Sequence, residues 1–374
     1  MDYGKNYASN RKVQEEAGKL YKRLVDGYKD QEKRNNQISN NWNVFNCTFD
    51  ENQKYQGISQ VYVPVVRDCI EARAKRIHTA VFPPNGRNIF CVSYSGDTPE
   101  STVALIEQHL RLANFEETAS ALFRSGDIEG QWSLYVDWKK DTRKITKKSL
   151  EYPKLEGSDD EIRVEELGVE STEEEEIIDE HPDIWVISDS DLVVLPATVE
   201  HIRDADIVSV AFRLSKEDVK KKVKDGFFLK KPADTLLSGY EQDKSTPDPQ
   251  KARAEDAGIK VSGSQRYALI YEVWTTLKIE GEETPVVIHF GGQNCILAVY
   301  RNPYWCQLPP VISASPINVA GTFFGNAKVS TVSGLQYQLN DVTNLGQDSA
   351  FYTLSPIVAT DPVKNPRVAS MIVA

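Results

Sequence analysis

The chain has 374 residues, 40% hydrophobic and 26% charged, which supplies a buried core and excludes both wholesale disorder and a small stapled domain. Its formal net charge of −11 is concentrated: residues 156–180 hold 13 acids and one base, leaving 43 bases against 42 acids elsewhere. So neutral a body excludes tight non-specific duplex binding by a single copy, and no apolar run reaches the roughly 18 residues of a membrane span.

Residues 1–5 carry no apolar stretch, which predicts a chain made and kept in a cytoplasm. Val13, Ala17, Leu20, Leu24 and Tyr28 recur at steps of three and four and predict an amphipathic helix over 11–37, with a polar break at 35–43. Trp42, Phe45 and Phe49 form a small aromatic cluster. Pro64 suits the first turn of a second helix with Val66, Ile70, Ala74, Ile77 and Val81 on its buried face. Arg67, Arg73, Lys75 and Arg76 make it the most basic helix of the chain. It is either an internal helix whose arginines pair with acids or a nucleic-acid-binding surface. Residues 83–86 end it, and 89–94 read as a short strand. A third helix is expected over 99–124, with Leu105, Ile106, Leu110, Ala113, Ala119 and Leu122 inward and Ser125-Gly126 at its end. Residues 131–138 alternate as a half-buried strand.

The acidic segment 156–180 reads as a solvated, partly mobile loop; as a functional surface it would repel phosphate or dock a basic partner. Residues 183–196 read as two strands split by Ser188-Asp189-Ser190-Asp191. A strand over 206–214 feeds a helix over 215–225, with Ser215 and Asp218 as a capping box and Gly226 as the stop. Residues 230–265 lack periodicity and read as a surface loop. Residues 267–279, 285–290 and 295–300 read as an antiparallel meander turned at 280–283 and 291–294. After a Pro-rich stretch at 302–316, a long helix is expected over 326–352. Val329, Val332, Leu335, Leu339, Val342 and Leu345 form its apolar stripe, and Gln338, Asp341, Asn344, Gln347 and Asp348 its polar face. Gly334 and Gly346 lie within it and cost helix stability, marking a kink or the close approach of identical neighbouring helices.

No pattern for chemistry emerges. Cys47, Cys69, Cys91, Cys295 and Cys306 are scattered without C-x-x-C spacing, which predicts reduced thiols and no zinc. There is no phosphate-cradling glycine loop, H-E-x-x-H or G-x-S-x-G, and His289 reads as a core or edge residue. Asp189 with Asp191 and Asp204 with Asp206 are the acid pairs open to metal or acid–base work. The expected sets of catalytic, cofactor-binding and metal-binding residues are therefore empty, and no cofactor is expected.

The order of short motifs is more informative. Trp42 is followed by residues 55–64 (YQGISQVYVP), Ile70-Glu71-Ala72-Arg73 and Val81-Phe82-Pro83. Asn114-Phe115, the strand from Gly130 to Trp138, Tyr271-Glu272-Val273-Trp274 and Arg301-Asn302-Pro303-Tyr304 come next. Gly321 and Gly325 then precede Leu335-Gln336-Tyr337-Gln338-Leu339-Asn340, and Pro356 closes the series. This succession resembles the portal proteins of tailed bacteriophages, in particular short-tailed ones, over most of the chain.

The resemblance implies an α+β fold: a portal-like wing of helices and antiparallel strands over residues 1–325, a long stem-type helix over 326–354, and the start of a clip over 355–374. It implies a homo-oligomer, a dodecameric ring at one capsid vertex, which admits and releases double-stranded DNA with weak contact. Partners would be the major capsid protein, scaffold during assembly, the terminase large subunit and the head–tail adaptor and tail proteins, with no membrane. The location would be the virion, and the host cytoplasm during assembly. Family members continue past the position of Ala374 with more clip, a second stem helix, a tunnel loop and a crown, so the resemblance implies that the C-terminal part is lacking here. Gly334, Gln338, Asp341, Asn344, Gly346, Gln347 and Asp348 become candidates for the subunit interface or channel. The rival expectations are another head–tail adaptor component and a cytosolic metal-dependent enzyme using Asp189 and Asp191.

Overall fold

The computed structural model describes residues 4–48, 59–83, 100–150, 169–240, 267–279, 281–291 and 295–354, with the backbone alone at 100, 141–144, 146–150, 169–179 and 239–240. The expected strand at 89–94, Phe49, residues 55–57, 156–168, 241–265, Glu280, 292–294 and 355–374 lie outside the described residues.

The first helical stretch divides into α1 (Arg11–Asp30) and α2 (Glu32–Phe45), joined at Gln31. Asn10 caps α1 by accepting from the Lys12 amide. Residues 35–43, expected as a break, are helical. Polarity misleads here because Asn41 is buried, donating to the Ile128 carbonyl (2.8 Å) and accepting from Ser330 (3.0 Å). α3 (Val65–Val81) follows Pro64 directly.

The single helix expected over 99–124 is two, α4 (Glu100–Leu112) and α5 (Phe115–Glu129). Asn114 between them sits at φ 51°, a left-handed conformation that Asn tolerates better than most residues. Leu105 and Ile106, expected inward, are exposed. Nor does Ser125-Gly126 end the helix. Gly126 is a close-packing site, where an added Cβ would overlap the Trp132 indole. The stop is Gly130, at φ 109°.

Two antiparallel sheets follow. The first has strand order β2-β1-β8, from β1 (Trp132–Leu150), β2 (Val169–Ile187) and β8 (Val311–Ala314). The second has order β3-β4-β5-β6-β7, from β3 (Leu192–Leu195), β4 (Ile207–Ser215), β5 (Tyr267–Ile279), β6 (Glu282–Gly291) and β7 (Cys295–Arg301). The expected meander and the strands at 183–196 and 206–214 are present. α6 (Lys216–Lys224) opens on the expected capping box, Ser215 with Asp218, and Gly226 follows it at φ 78°. Two expectations of loop are corrected. Residues 169–180 of the acidic segment are strand, held in register against the basic half of β1. Residues 230–240 are helix α7 (Lys230–Tyr240), held by burial of Ala233 and Leu237.

The five-stranded sheet is buried on both faces. Val13, Ala17 and Leu24 of α1 cover one with Ile207, Ile288 and Phe290. Val219 of α6, Ala233 and Leu237 of α7, and Tyr135 and Val311 of the smaller sheet cover the other. The smaller sheet's far side packs on α3 and α5 through Ala74, Ala119, Leu122 and Leu134. The class is α+β.

A buried polar knot joins the sheets. Glu272 on β5 accepts from Tyr135 on β1, from the Trp274 indole (2.9 Å) and from His289 Nε2 on β6 (3.1 Å). His289 is thus a core residue, as expected, and the carboxylate fixes its tautomer. Burial pushes the Glu272 carboxyl up, but the bonds from His289, Tyr135 and Trp274 outweigh it and hold it below its ordinary value of 4.5. A depressed folded pKa gives stability that is present above the ordinary glutamate range and lost as pH falls through the folded value. Glu272→Gln is therefore expected to cost about 2 kcal/mol at pH 7, with the gap in melting temperature from wild type narrowing on acidification. A gap that widens in acid would contradict this.

Candidate functional site

The long helix α8 (Lys328–Leu354, 27 residues) is where sequence pattern and structure part most sharply. Val329 is fully buried and Val332 packs beside it against Val44, Phe45, Val66, Ile70 and Ile128. Beyond this first turn the expected apolar stripe faces outward: Leu335, Val342 and Leu345 are 67, 68 and 68% exposed. The inward face is polar, with Gln336 and Asn340 buried.

Those polar residues hold an extended backbone. Gln336, Asn340, Asn344 and Asp348 stand four apart on one face of α8. Antiparallel to them runs the strap, residues 59–64, which leads into α3. Asp348 accepts from the Ser59 amide (2.8 Å), Asn344 from Val61 (2.7 Å), Asn340 from Val63 (3.1 Å) and Gln336 from Val66 (3.1 Å). Asn344 returns a bond to the Val61 carbonyl (3.2 Å), and Gln336 donates to the Val63 carbonyl. Over the Ser59, Val61 and Val63 rungs the spacings match because four helical residues advance about 6.0 Å and two extended residues about 6.2–6.8 Å, and the fourth rung, Gln336, meets Val66 in the first turn of α3. The amide side chains thus take the place of a neighbouring β-strand.

Either end of this arrangement is anchored. Tyr62 of the strap donates to the Val44 carbonyl (3.0 Å), and burial pushes its phenol up to about 12, keeping it a neutral donor. At the entry to α8, Arg34 donates to the Gly325 carbonyl (3.2 Å) and to Asp189 (2.6 Å), and lies over the Phe324 ring. Gln131 accepts from the Gly325 amide (3.2 Å) and from Ser315 (2.6 Å). Sequence reading singled out neither residue. The signal for the ladder, Gln/Asn/Asn/Asp at strict four-residue spacing, was legible but masked by the stronger apolar periodicity beside it.

Of the sequence candidates on α8, Asn344 and Asp348 belong to the ladder, while Gln338, Asp341, Gly346 and Gln347 are exposed along the helix. A Cβ added at Gly334 or Gly346 meets nothing within 4 Å, so no close packing inside this chain requires either glycine. On α3, Arg73 pairs with Asp127 (2.7 Å), whose carboxyl burial keeps above its ordinary range, and Arg67 lies over the Phe45 ring. Lys75 and Arg76 are exposed. One of the three arginines, Arg73, thus pairs with an acid as the internal reading expects, and Arg67 is exposed like Lys75 and Arg76.

The acid pair proposed for metal chemistry is taken up by arginines, Asp189 by Arg34 and Asp191 by both Arg213 nitrogens at 2.9 Å. Among the described residues no three His, Cys, Asp or Glu side chains gather as metal ligands, and no helix is long and apolar enough to cross a membrane. What α8 offers is recognition of backbone on one face and an apolar row on the other. No protein-family profile matches the chain, and no curated protein matches its sequence.

If the ladder holds the strap, Asn340→Ala should lower stability by about 1–3 kcal/mol, the cost of leaving buried backbone groups unmet. Amide exchange at Val61 and Val63 should accelerate selectively in a hydrogen-exchange measurement. Unchanged exchange at both would remove the ladder from the account.

Proposed function

We propose that this chain is the protomer of a portal, a head–tail connector of a tailed bacteriophage. Copies form a ring at one capsid vertex, and double-stranded DNA passes through its centre. Two things support this. One is the succession of short motifs shared with portal proteins. The other, which carries the reading, is α8: a 27-residue helix whose inner face is occupied by the strap and whose outer face carries an apolar row among polar residues. A contiguous exposed row of this kind is a docking surface. A second copy is the occupant that fits, because Leu335, Val342 and Leu345 recur at steps of seven and three on a helix whose only formal charges are Lys328, Asp341 and Asp348. Repeating one such contact by rotation closes a ring.

In this reading residues 1–325 are the wing, 326–354 the stem-type helix and 355–374 the start of the clip, where terminase and adaptor dock. The work is mechanical. Each phosphate that a wall neutralises adds to the barrier against translocation, so a conduit for DNA is best left without a basic lining. The near-neutral body and weakly charged α8 suit that need, and no bond-making residue is required.

Gly346→Leu gives a clean test, because the position is exposed and an added Cβ meets nothing within 4 Å. The variant should fold as wild type does. Assembly should weaken, read by light scattering after gel filtration, where the wild type runs near twelve protomers. Normal ring formation by the variant would take this face of α8 out of the interface. A wild type that stays monomeric or dimeric with metal-dependent turnover would replace the portal by an enzyme.

A further inference from the structure

Past Trp138, strands β1 and β2 continue as a two-stranded ribbon. β8 accompanies β1 only over Trp132–Tyr135, whereas the β1–β2 register continues to Leu150 and Val169. The ribbon is electrically polarised from edge to edge. Over residues 140–150, β1 has five bases and one acid; over 169–180, β2 has seven acids and no base. Part of this charge is matched across the ribbon, where Lys140 stands opposite Glu180, Arg143 opposite Glu176 and Lys144 opposite Glu175. Opposite charges in register stabilise a pair of strands by about 0.2–1 kcal/mol each. The rest is unmatched. Lys147 and Lys148 stand opposite Thr172 and Ser171, and Glu173 and Glu174 opposite Thr146 and Ile145. Glu170 stands opposite Ser149, and Asp179 opposite Asp141, so two bases of β1 and four acids of β2 face no opposite charge in register.

Among the described residues no third strand pairs with either edge there, and an open edge is a template for another strand. We infer that these edges join neighbouring copies, the acidic β2 edge of one taking the basic β1 edge of the next. The inference rests on the ring reading and assigns a second contact to it. Strand direction and charge select the same arrangement. In the order β1-β2-β1-β2 every neighbouring pair is antiparallel and every copy points the same way, the head-to-tail relation that a ring repeats. A two-fold pairing would instead set β2 against β2, acid against acid, or β1 against β1, base against base. Like charges in register oppose both.

The test uses the full chain in three forms: wild type, Lys147→Glu/Lys148→Glu and Glu173→Lys/Glu174→Lys. These changes leave the three matched pairs of the ribbon intact. Circular dichroism checks folding, and a variant that loses the wild-type spectrum is replaced by its single change, Lys148→Glu or Glu173→Lys. Light scattering over a dilution series at low salt then gives the concentration of half-dissociation. Each variant alone should need about tenfold more protein to assemble, as expected for loss of two exposed charge contacts. An equimolar mixture of the two should recover the wild-type value, since at the changed positions one carries acids on both strands and the other carries bases on both. Unchanged assembly of either variant, or no recovery on mixing, overturns the ribbon contact and leaves the ring standing. A wild type that is monomeric at every concentration overturns both.

Discussion

The orientation of α8 depends on one interaction, the bonding of backbone amides in the strap by side chains four residues apart on the helix. An extended segment laid along a protein must satisfy its N–H and C=O groups, and it does so in a sheet by pairing with another strand. Here a helix supplies the acceptors, and Gln336 and Asn340 are buried for that purpose. Once they face inward, the angular spacing of a helix obliges Leu335, Val342 and Leu345 to face out. The exposed apolar row is the geometric consequence of the buried polar one.

This exchange of faces gives the glycines a different setting. A Cβ added at Gly334 or Gly346 would meet nothing within 4 Å, and each glycine costs about 1 kcal/mol relative to alanine in a helix interior. Their place is on the surface that neighbouring copies share in the portal reading. The body behind α8 is built as a rigid mount. Arg34 and Gln131 hold the residues that lead into the helix, and the Glu272 knot ties the smaller sheet to the larger. Polar groups buried with their partners fix relative positions more sharply than apolar packing does.

Much of the strand architecture was legible in the sequence, because alternation and turn residues report a half-buried strand locally. The meander of β5, β6 and β7, the capping box of α6 and the Gly226 stop are of this kind. Legibility failed where a tertiary partner overrode local pattern. Residues 35–43 are polar yet helical because Asn41 bonds α5 and α8. Gly126 marks the seat of Trp132 and not a helix end. Residues 169–180, acidic enough to suggest a loop, are strand because bases stand across from part of their charge. The largest failure concerns α8. Apolar periodicity shows that a helix has an apolar face, but not whether that face is turned to the core or to another molecule.

Cryo-electron microscopy of the purified full-length chain tests the central claim most directly. The account predicts annular particles with an open centre, in which the outward row of α8 is covered by the adjacent protomer and the strap remains on the helix's polar face. Isolated protomers, two-fold dimers, or rings in which Leu335, Val342 and Leu345 turn back into their own chain would contradict it.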